Sequence, residues 1–370
     1  MEIQKEVVVP FNEVKSFIVR CMQAVGTRRE HAETFADLLA TADYRGHQSH
    51  GLNRIDIYMR DIQSGTTVSG DLEPTVVKET AATALVDGNS LLGPVVGKFC
   101  VDLALEKARE SGIGWVSVRG SNHFGIAGWY SMRAAQQGMV GLAFTNTSPY
   151  MVPTRAKQAA LGTSAISCAA PAKDGDSFVL DMASTAVAMG KIELRDRKGL
   201  DIPKGWAVDR EGKETTNPKN VEWLMPLGGS EETGGYKGYG IGIMVEIFCG
   251  ILSGASYGPH IRKWKTVDTL ANLVTDAISC APEERGHCFV AIDPGAFADG
   301  FSDRLSDLMN HCRGLEPADG ESEVLVAGDP EKRHMEKCDK LGGIPYHSSQ
   351  IQFVNTVAAK HNVEPIKCRE

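Results

Sequence analysis

Apolar residues change their spacing twice along these 370 residues, and this limits the fold more than any single motif does. In the first ~65 residues they recur at helical spacing. Val14, Phe17, Ile18, Cys21 and Met22 share one side of a run that Asn12 is placed to cap and Gly26 to end. Thr27 with Glu30 makes a capping-box signature for a second helix, with Phe35, Leu38 and Leu39 facing inward. The spacing predicts a third helix from near Ser49 to just before Gly65. Between 66 and 90, short strands are expected around Val76, Val77 and Thr83 to Val86. Pro94 suits the start of the next helix and Gly112 its end. A strand over 114–118, a turn over 120–125 and a helix carrying Trp129, Tyr130, Met132 and Ala135 follow. From 138 to 300 strands dominate, most clearly at 142–145, 178–181 and 289–293, while 195–235 reads as surface loop. Helices return near 302–313 and 349–361. Helical ends around a strand-rich centre describe an α/β chain.

Composition narrows the function classes. Hydrophobic residues make up 42% and charged residues 23%, which suits a water-soluble globular protein. A net charge of −8 argues against a nucleic-acid partner. The N-terminus lacks the basic start and apolar core of a signal peptide. The most apolar stretch, 241–255, is short for a bilayer and carries Glu246, so a buried helix and no membrane partner are expected. Nine cysteines are scattered with no C-x-x-C, the usage of reduced thiols in the cytoplasm. His287-Cys288, His311-Cys312 and the pair His47 and His50 lack further ligands at metal spacing, so no metal site is assigned.

Chemistry concentrates in four places. Residues 45–58 gather Ser49, His50, Arg54 and Tyr58. On one helix, His50, Arg54 and Tyr58 at i, i+4 and i+8 would share a face, offering a base, a carboxylate anchor and a hydroxyl to a small oxo or hydroxy acid. Arg54 could equally pair with Asp56 or Asp61. Asn122-His123-Phe124-Gly125 follows a strand and precedes a helix, where a histidine either moves protons or bonds its own turn. Asp181, in Asp181-Met182-Ala183-Ser184, is either a catalytic acid at a strand end or a helix cap. The glycine-rich run 234–240 either brings backbone and Lys237 to a ligand or packs a helix closely. It is neither a P-loop nor a G-x-G-x-x-G fingerprint, and no nucleophile elbow occurs.

These motifs, in this order, resemble the type 2 malate/L-lactate dehydrogenase family, the sulfolactate and ureidoglycolate dehydrogenase-like oxidoreductases, over about residues 5–360. The resemblance implies NAD or NADP as cofactor on a non-Rossmann fold with a large mixed or antiparallel sheet flanked by helices, plus N- and C-terminal helical parts. It implies an N-terminal helical and substrate-binding part over 1–118, completed by 301–370, and a cofactor-binding domain over 119–300. It implies a homodimer with its active site near the interface, acting on a small carboxylic acid. His123 corresponds to the proton acceptor, Arg54 to the carboxylate clamp with Tyr58 beside it, and Ser49 with His50 to a proton relay. Asp181 corresponds to the proton donor of imine-reducing members. Cofactor contacts fall on His123, Phe124, Gly125, Thr147, Ser148, Asp181, Met182, Ala183 and Lys237. A late contact falls on Gly328 and Asp329, where Ala327-Gly328-Asp329-Pro330 departs from the family's Pro-Gly-Glu-Pro in its first residue. Malate or lactate oxidation is the leading expectation, cyclic imino-acid reduction the alternative, and a non-catalytic protein on the same fold the outsider.

Overall fold

The computed structural model describes residues 6–197, 199–262 and 284–369. Cys280, and the start of the chain read for a signal peptide, lie outside the described residues. Two antiparallel helices open the chain, α1 (Phe11–Ala24) and α2 (Arg29–Tyr44). Their inward stripe is the expected one: Val14, Phe17, Ile18, Cys21, Met22, Phe35, Leu38 and Leu39 are all fully buried. The caps differ from expectation. Pro10, not Asn12, precedes α1, and Arg28, not Thr27, precedes α2, neither with a side-chain cap. Arg28 pairs with Glu73 instead.

The predicted third helix is broken. Two 3-10 turns, Gln48–His50 and Leu52–Arg54, come before α3 (Ile55–Gln63). Gly51 separates them because a Cβ there would lie 1.8 Å from Oδ1 of Asp43. The short strands expected between 66 and 90 are β2 (Thr75–Glu79) and β3 (Thr83–Asp87). Then come α4 (Gly93–Ser111), β4 (Ile113–Ser121), α5 (Gly128–Ala135) and β5 (Val140–Thr145). Next are β6 (Pro149–Met151), β7 (Leu161–Gly162), β8 (Ala165–Pro171) and β9 (Ser177–Ala183). The segment read as loop, 195–235, overlaps only the end of α6 (Met189–Arg197) and contains the two-residue strands β10 (Ala207–Val208) and β11 (Trp223–Leu224). Beyond lie α7 (Gly235–Glu246), continued by a π turn Ile247–Ile251, and β12 (Arg285–Ile292). The chain closes with α8 (Phe301–Arg313), α9 (Asp329–Leu341), β13 (Ile344–His347) and α10 (Ser348–Lys360).

Seven strands build the main sheet in the order β2-β3-β4-β12-β5-β8-β9. Only β3 and β4 run parallel; every other pairing is antiparallel, so the sheet is mixed as expected. It takes strands from both sides of residue 118, which itself lies inside β4. A β-bulge between Val76 and Lys78 kinks the edge strand β2, whose residues are all exposed. The strand β1 (Glu6–Val9) pairs with β13, joining the two ends of the chain. The apolar run 241–255 is only half buried. Val245 and Cys249 pack into the core, whereas Ile243, Met244, Ile247, Ile251 and Leu252 stand open on the other face. No helix among the described residues is long and apolar enough to cross a membrane.

Candidate active site at one end of the sheet

Strand register decides where the chemistry gathers. His287 on β12 sits opposite Thr145 on β5, Thr145 opposite Ala165 on β8, and Ala165 opposite Ala183 on β9. Arg285, at the start of β12, sits opposite Ser121 at the end of β4. The segments 121–125, 146–148 and 181–185 therefore emerge at one end of the sheet, although far apart in sequence. A helix or loop could not hold three such segments at fixed spacing; a hydrogen-bonded ladder does.

The turn after β4 is set by a histidine whose importance the sequence concealed. His287 is fully buried. Its Nδ1 lies 2.7 Å from Thr145 Oγ1, and its Nε2 lies 2.8 Å from Ser121 Oγ and 3.1 Å from the Asn122 carbonyl. Phe124 stacks on its ring at 4.6 Å between centroids. Burial, with Arg285 behind it, pushes the ring down to about 3, so it stays a neutral hub. Phe124 thereby belongs to an aromatic core with Tyr130 and Phe289, and its side chain faces inward.

On this support stands His123. Its Nδ1 is engaged by the Tyr58 hydroxyl and lies 3.2 Å from the Gly125 N–H. His123 thus bonds its own turn, and it also faces the segment that follows residue 48. The His50 ring is stacked 5.9 Å away with its plane nearly parallel, and Ser49 Oγ lies 2.8 Å from His50 Nδ1. Arg54 Nε donates to the Ser49 carbonyl at 2.6 Å. The two aspartates proposed as its surface partners are taken: Asp56 pairs with Arg60 and Asp61 with Arg262. Ser49, His50, Arg54, Tyr58 and His123 therefore meet without the continuous helix expected for them.

Both histidines keep some open surface, but dense surroundings strip most of the water that would solvate a charge. Enclosure, then Arg54 and His47, pushes His50 down to about 4. Enclosure, then Arg285, His50 and Arg54, holds His123 well below the usual histidine range. At neutral pH both rings are uncharged.

Asp181 lies on β9 and accepts the Gly128 N–H at 2.7 Å, at the first turn of α5. It does act as a cap, though of a helix distant in sequence. Enclosure raises its carboxyl, opposed by His47, this bond and Arg45, while Glu331 raises it further. Arg45 and His47 immediately precede the 48–54 loop, which ties Asp181 to the same neighbourhood. Thr147 Oγ1 lies 3.3 Å from Thr163 Oγ1, and Ser148 Oγ donates to the Arg262 carbonyl at 2.7 Å. Met182 and Ala183 end β9, partly open. Lys237 is exposed on the first turn of α7, 5.8 Å from the Tyr236 ring centre rather than against the histidines. The glycines beside it serve packing: a Cβ on Gly235 would meet the Gly229 carbonyl at 2.0 Å, and one on Gly238 the Leu227 carbonyl at 2.2 Å. Gly328, at φ +100°, packs on Val179, and Asp329 is held by both Arg313 nitrogens at 2.6 and 2.9 Å and by the Val326 N–H at 3.0 Å.

The residues present fit a nicotinamide. Among the described residues, Ser164 Oγ and Ser184 Oγ are buried without a hydrogen-bond partner at this sheet end. Buried hydroxyls left unpaired at strand ends are groups that a ring carboxamide would satisfy. Arg285, Glu331 and His287 were not singled out as site residues from the sequence; nothing in their local spacing signals them.

Comparison with known proteins shows the family. The family model described as malate/L-lactate dehydrogenase matches residues 9–355. A malate dehydrogenase of Pyrococcus abyssi is 38% identical over 367 residues, covering 97% of this chain and 96% of the relative. A (2R)-3-sulfolactate dehydrogenase (NADP(+)) of Chromohalobacter salexigens is 32% identical, covering 81% and 85%. The solved malate dehydrogenase of Pyrococcus horikoshii OT3 superposes with a TM-score of 0.85 at 35% identity, covering 97% of each chain. With the whole architecture and nearly the whole length matched, the chain belongs to the malate/L-lactate dehydrogenase family.

Proposed function

We propose that the cluster of Arg54, Tyr58 and His123 is the catalytic centre of this chain, oxidising a small 2-hydroxy acid such as malate or lactate. The reaction class is that of an NAD(P)-dependent 2-hydroxy-acid dehydrogenase. One observation carries the residue assignment: Tyr58, one α-helical turn beyond Arg54, bonds His123 from a segment 65 residues away. When bound, the nicotinamide supplies the hydride-accepting chemistry.

Arg54 grips the substrate carboxylate, and its planar fork orients the neighbouring carbon. His123 takes the hydroxyl proton at Nε2. For this the resting ring carries its proton on Nδ1, donated to Tyr58 Oη. The Gly125 N–H favours the opposite tautomer, but its contact is the longer of the two. Arg54 is one of the charges that suppress His123. A carboxylate bound to Arg54 offsets that charge, so substrate binding makes the base stronger just when it is needed. Ser49 and His50 relay the proton outward. Thr147, Ser148, Asp181 to Ala183, Phe124 and Gly125 through their backbone, and Lys237 line the cofactor's path, with Gly328 and Asp329 as a late contact. Residues 1–118 with 301–370 hold substrate and 119–300 hold cofactor, a division of labour rather than of folding units.

A second reading, reduction of a cyclic imino acid, draws on Asp181, whose enclosure favours the protonated form that would donate to an imine nitrogen. A second copy of this chain is the proposed partner for the open face carrying Ile243, Met244, Ile247, Ile251 and Leu252. A cytoplasmic setting accords with Cys21, Cys100, Cys249, Cys288 and Cys338, buried free thiols. The deciding experiment follows nicotinamide absorbance with both reduced cofactors against pyruvate, oxaloacetate and a cyclic ketimine carboxylate. Turnover of an oxo acid supports the hydroxy-acid reading, turnover of the ketimine alone replaces it, and turnover of none refutes both. Light scattering that gives a monomer mass removes the second copy.

A further inference from the structure

The loop carrying Ser49, His50 and Arg54 is anchored by a carboxylate that has no part in the proposed chemistry. Asp43 stands in the last turn of α2 and is fully buried. Its Oδ2 accepts the Leu52 N–H at 2.8 Å and the Tyr346 hydroxyl at 2.7 Å. The chain closes over it so tightly that only glycine fits at position 51. Gln48 Nε2 adds a bond to the Pro345 carbonyl at 2.9 Å. Thus α2, the two 3-10 turns and β13 converge on one acid. Its Oδ1 is buried without a partner. A buried carboxylate is costly to keep, and here both of its bonds are spent on aligning other segments.

We propose that Asp43 is a positioning residue that, through the Leu52 amide and the Tyr346 hydroxyl, fixes the 48–54 loop and holds Arg54 before His123. The inference rests on the reading that Arg54 grips the substrate carboxylate. Burial pushes the Asp43 carboxyl up to about 7, against the pull of the Leu52 and Tyr346 bonds. The titratable groups facing it are Tyr346 from β13 and Cys338 from α9; burial pushes both up, so neither changes charge near neutrality. From the loop it meets the Leu52 amide and Gly51. When ionised, Oδ2 makes two charge-assisted bonds; protonation weakens both. The loop therefore loosens as pH falls through about 7, and KM for the acid rises while cofactor affinity holds.

The test uses the full chain and the variants Asp43→Ala, Asp43→Asn and Tyr346→Phe. Amide hydrogen exchange over 48–54 is read first, without substrate, followed by KM, kcat and cofactor affinity. In Asp43→Ala, Leu52 should exchange at least ~10-fold faster and KM should rise by about as much, with kcat and cofactor affinity little changed. Asp43→Asn keeps an acceptor oxygen and should recover part of the KM loss, but should lose the rise near pH 7. Tyr346→Phe removes one bond only, should raise KM less, and keeps the question answerable if Asp43→Ala does not fold. Wild-type exchange at Leu52 in both milder variants overturns the proposal. A KM rise near pH 7 that persists in Asp43→Asn also overturns it. Faster exchange in a protein whose wild type turns over no acid supports the anchor and removes the functional reading instead, because exchange needs no substrate.

Discussion

The two sides of the candidate site are held by different physics. The His123 side grows from strand ends, and its position is set by a ladder spanning β4, β12, β5, β8 and β9. Its turn is locked by His287, which reaches Thr145 and Ser121 across the sheet. The Arg54 side is two short turns tied down by bonds from the Leu52 amide to Asp43 and from Gln48 to the Pro345 carbonyl, with Tyr58 just beyond them reaching across to His123. The ladder side is rigid in every direction; the loop side is only as firm as its ties. A dehydrogenase gains from this arrangement. On the roles proposed above, the base His123 is held by the ladder, while the clamp Arg54 sits on a loop that can change without disturbing it.

The largest expected effect comes from the rigid side. His123→Ala should lower turnover by ~10²–10⁴-fold while the cofactor still binds, measured by stopped-flow and fluorescence titration. Wild-type turnover in that variant removes the base. On the loop side, Arg54→Ala should cost kcat/KM about 1.5–3 kcal/mol, or roughly 10–150-fold, for any 2-hydroxy acid. Equal kinetics toward every acid tried would take the guanidinium out of the site.

A third experiment uses protons as the probe. His287 titrates at about 3 in the fold, against an ordinary histidine value of 6.5. The unfolded chain binds its proton first as pH falls, so this contribution is intact above 6.5 and drains away toward 3. The slope is at most about 1.4 kcal/mol per pH unit. Urea unfolding of His287→Asn should show a shallower loss over that window than wild type. An identical slope would mean that the hub is not held neutral. The smallest effect belongs to the bond joining the two sides. Tyr58→Phe should cost about 0.5–1.5 kcal/mol, seen mainly in kcat, because it removes the acceptor for the Nδ1 proton without touching Arg54. A change confined to KM would place Tyr58 with the substrate instead.

Much of the ladder side was legible before any coordinates, because its signals are local. The strand before Ser121, the glycine at 125 and the helix after it announce a turn, and the turn is there. The loop side was misread because its cause is tertiary. Helical spacing of His50, Arg54 and Tyr58 holds on paper, but Gly51 must bend around Asp43, and only the fold puts Asp43 there. The cap at Thr27 is not made either: its Oγ1 is buried without a hydrogen-bond partner, and the helix starts after Arg28. His287 stayed hidden as a neighbour of Cys288 because its partners Thr145 and Ser121 lie 142 and 166 residues away. The helix after Gly235 read as buried because hydrophobicity alone cannot tell a core face from an open one.

The kinked strand at the sheet's outer margin bears on whether another chain could add itself to the sheet. A flat run of unpaired amides there would invite another chain to add itself and extend the sheet without limit. The extra residue at Val77 disrupts the repeat, and Lys78 with Glu79 places charge where a newcomer would have to lie. Growth along that border is therefore disfavoured.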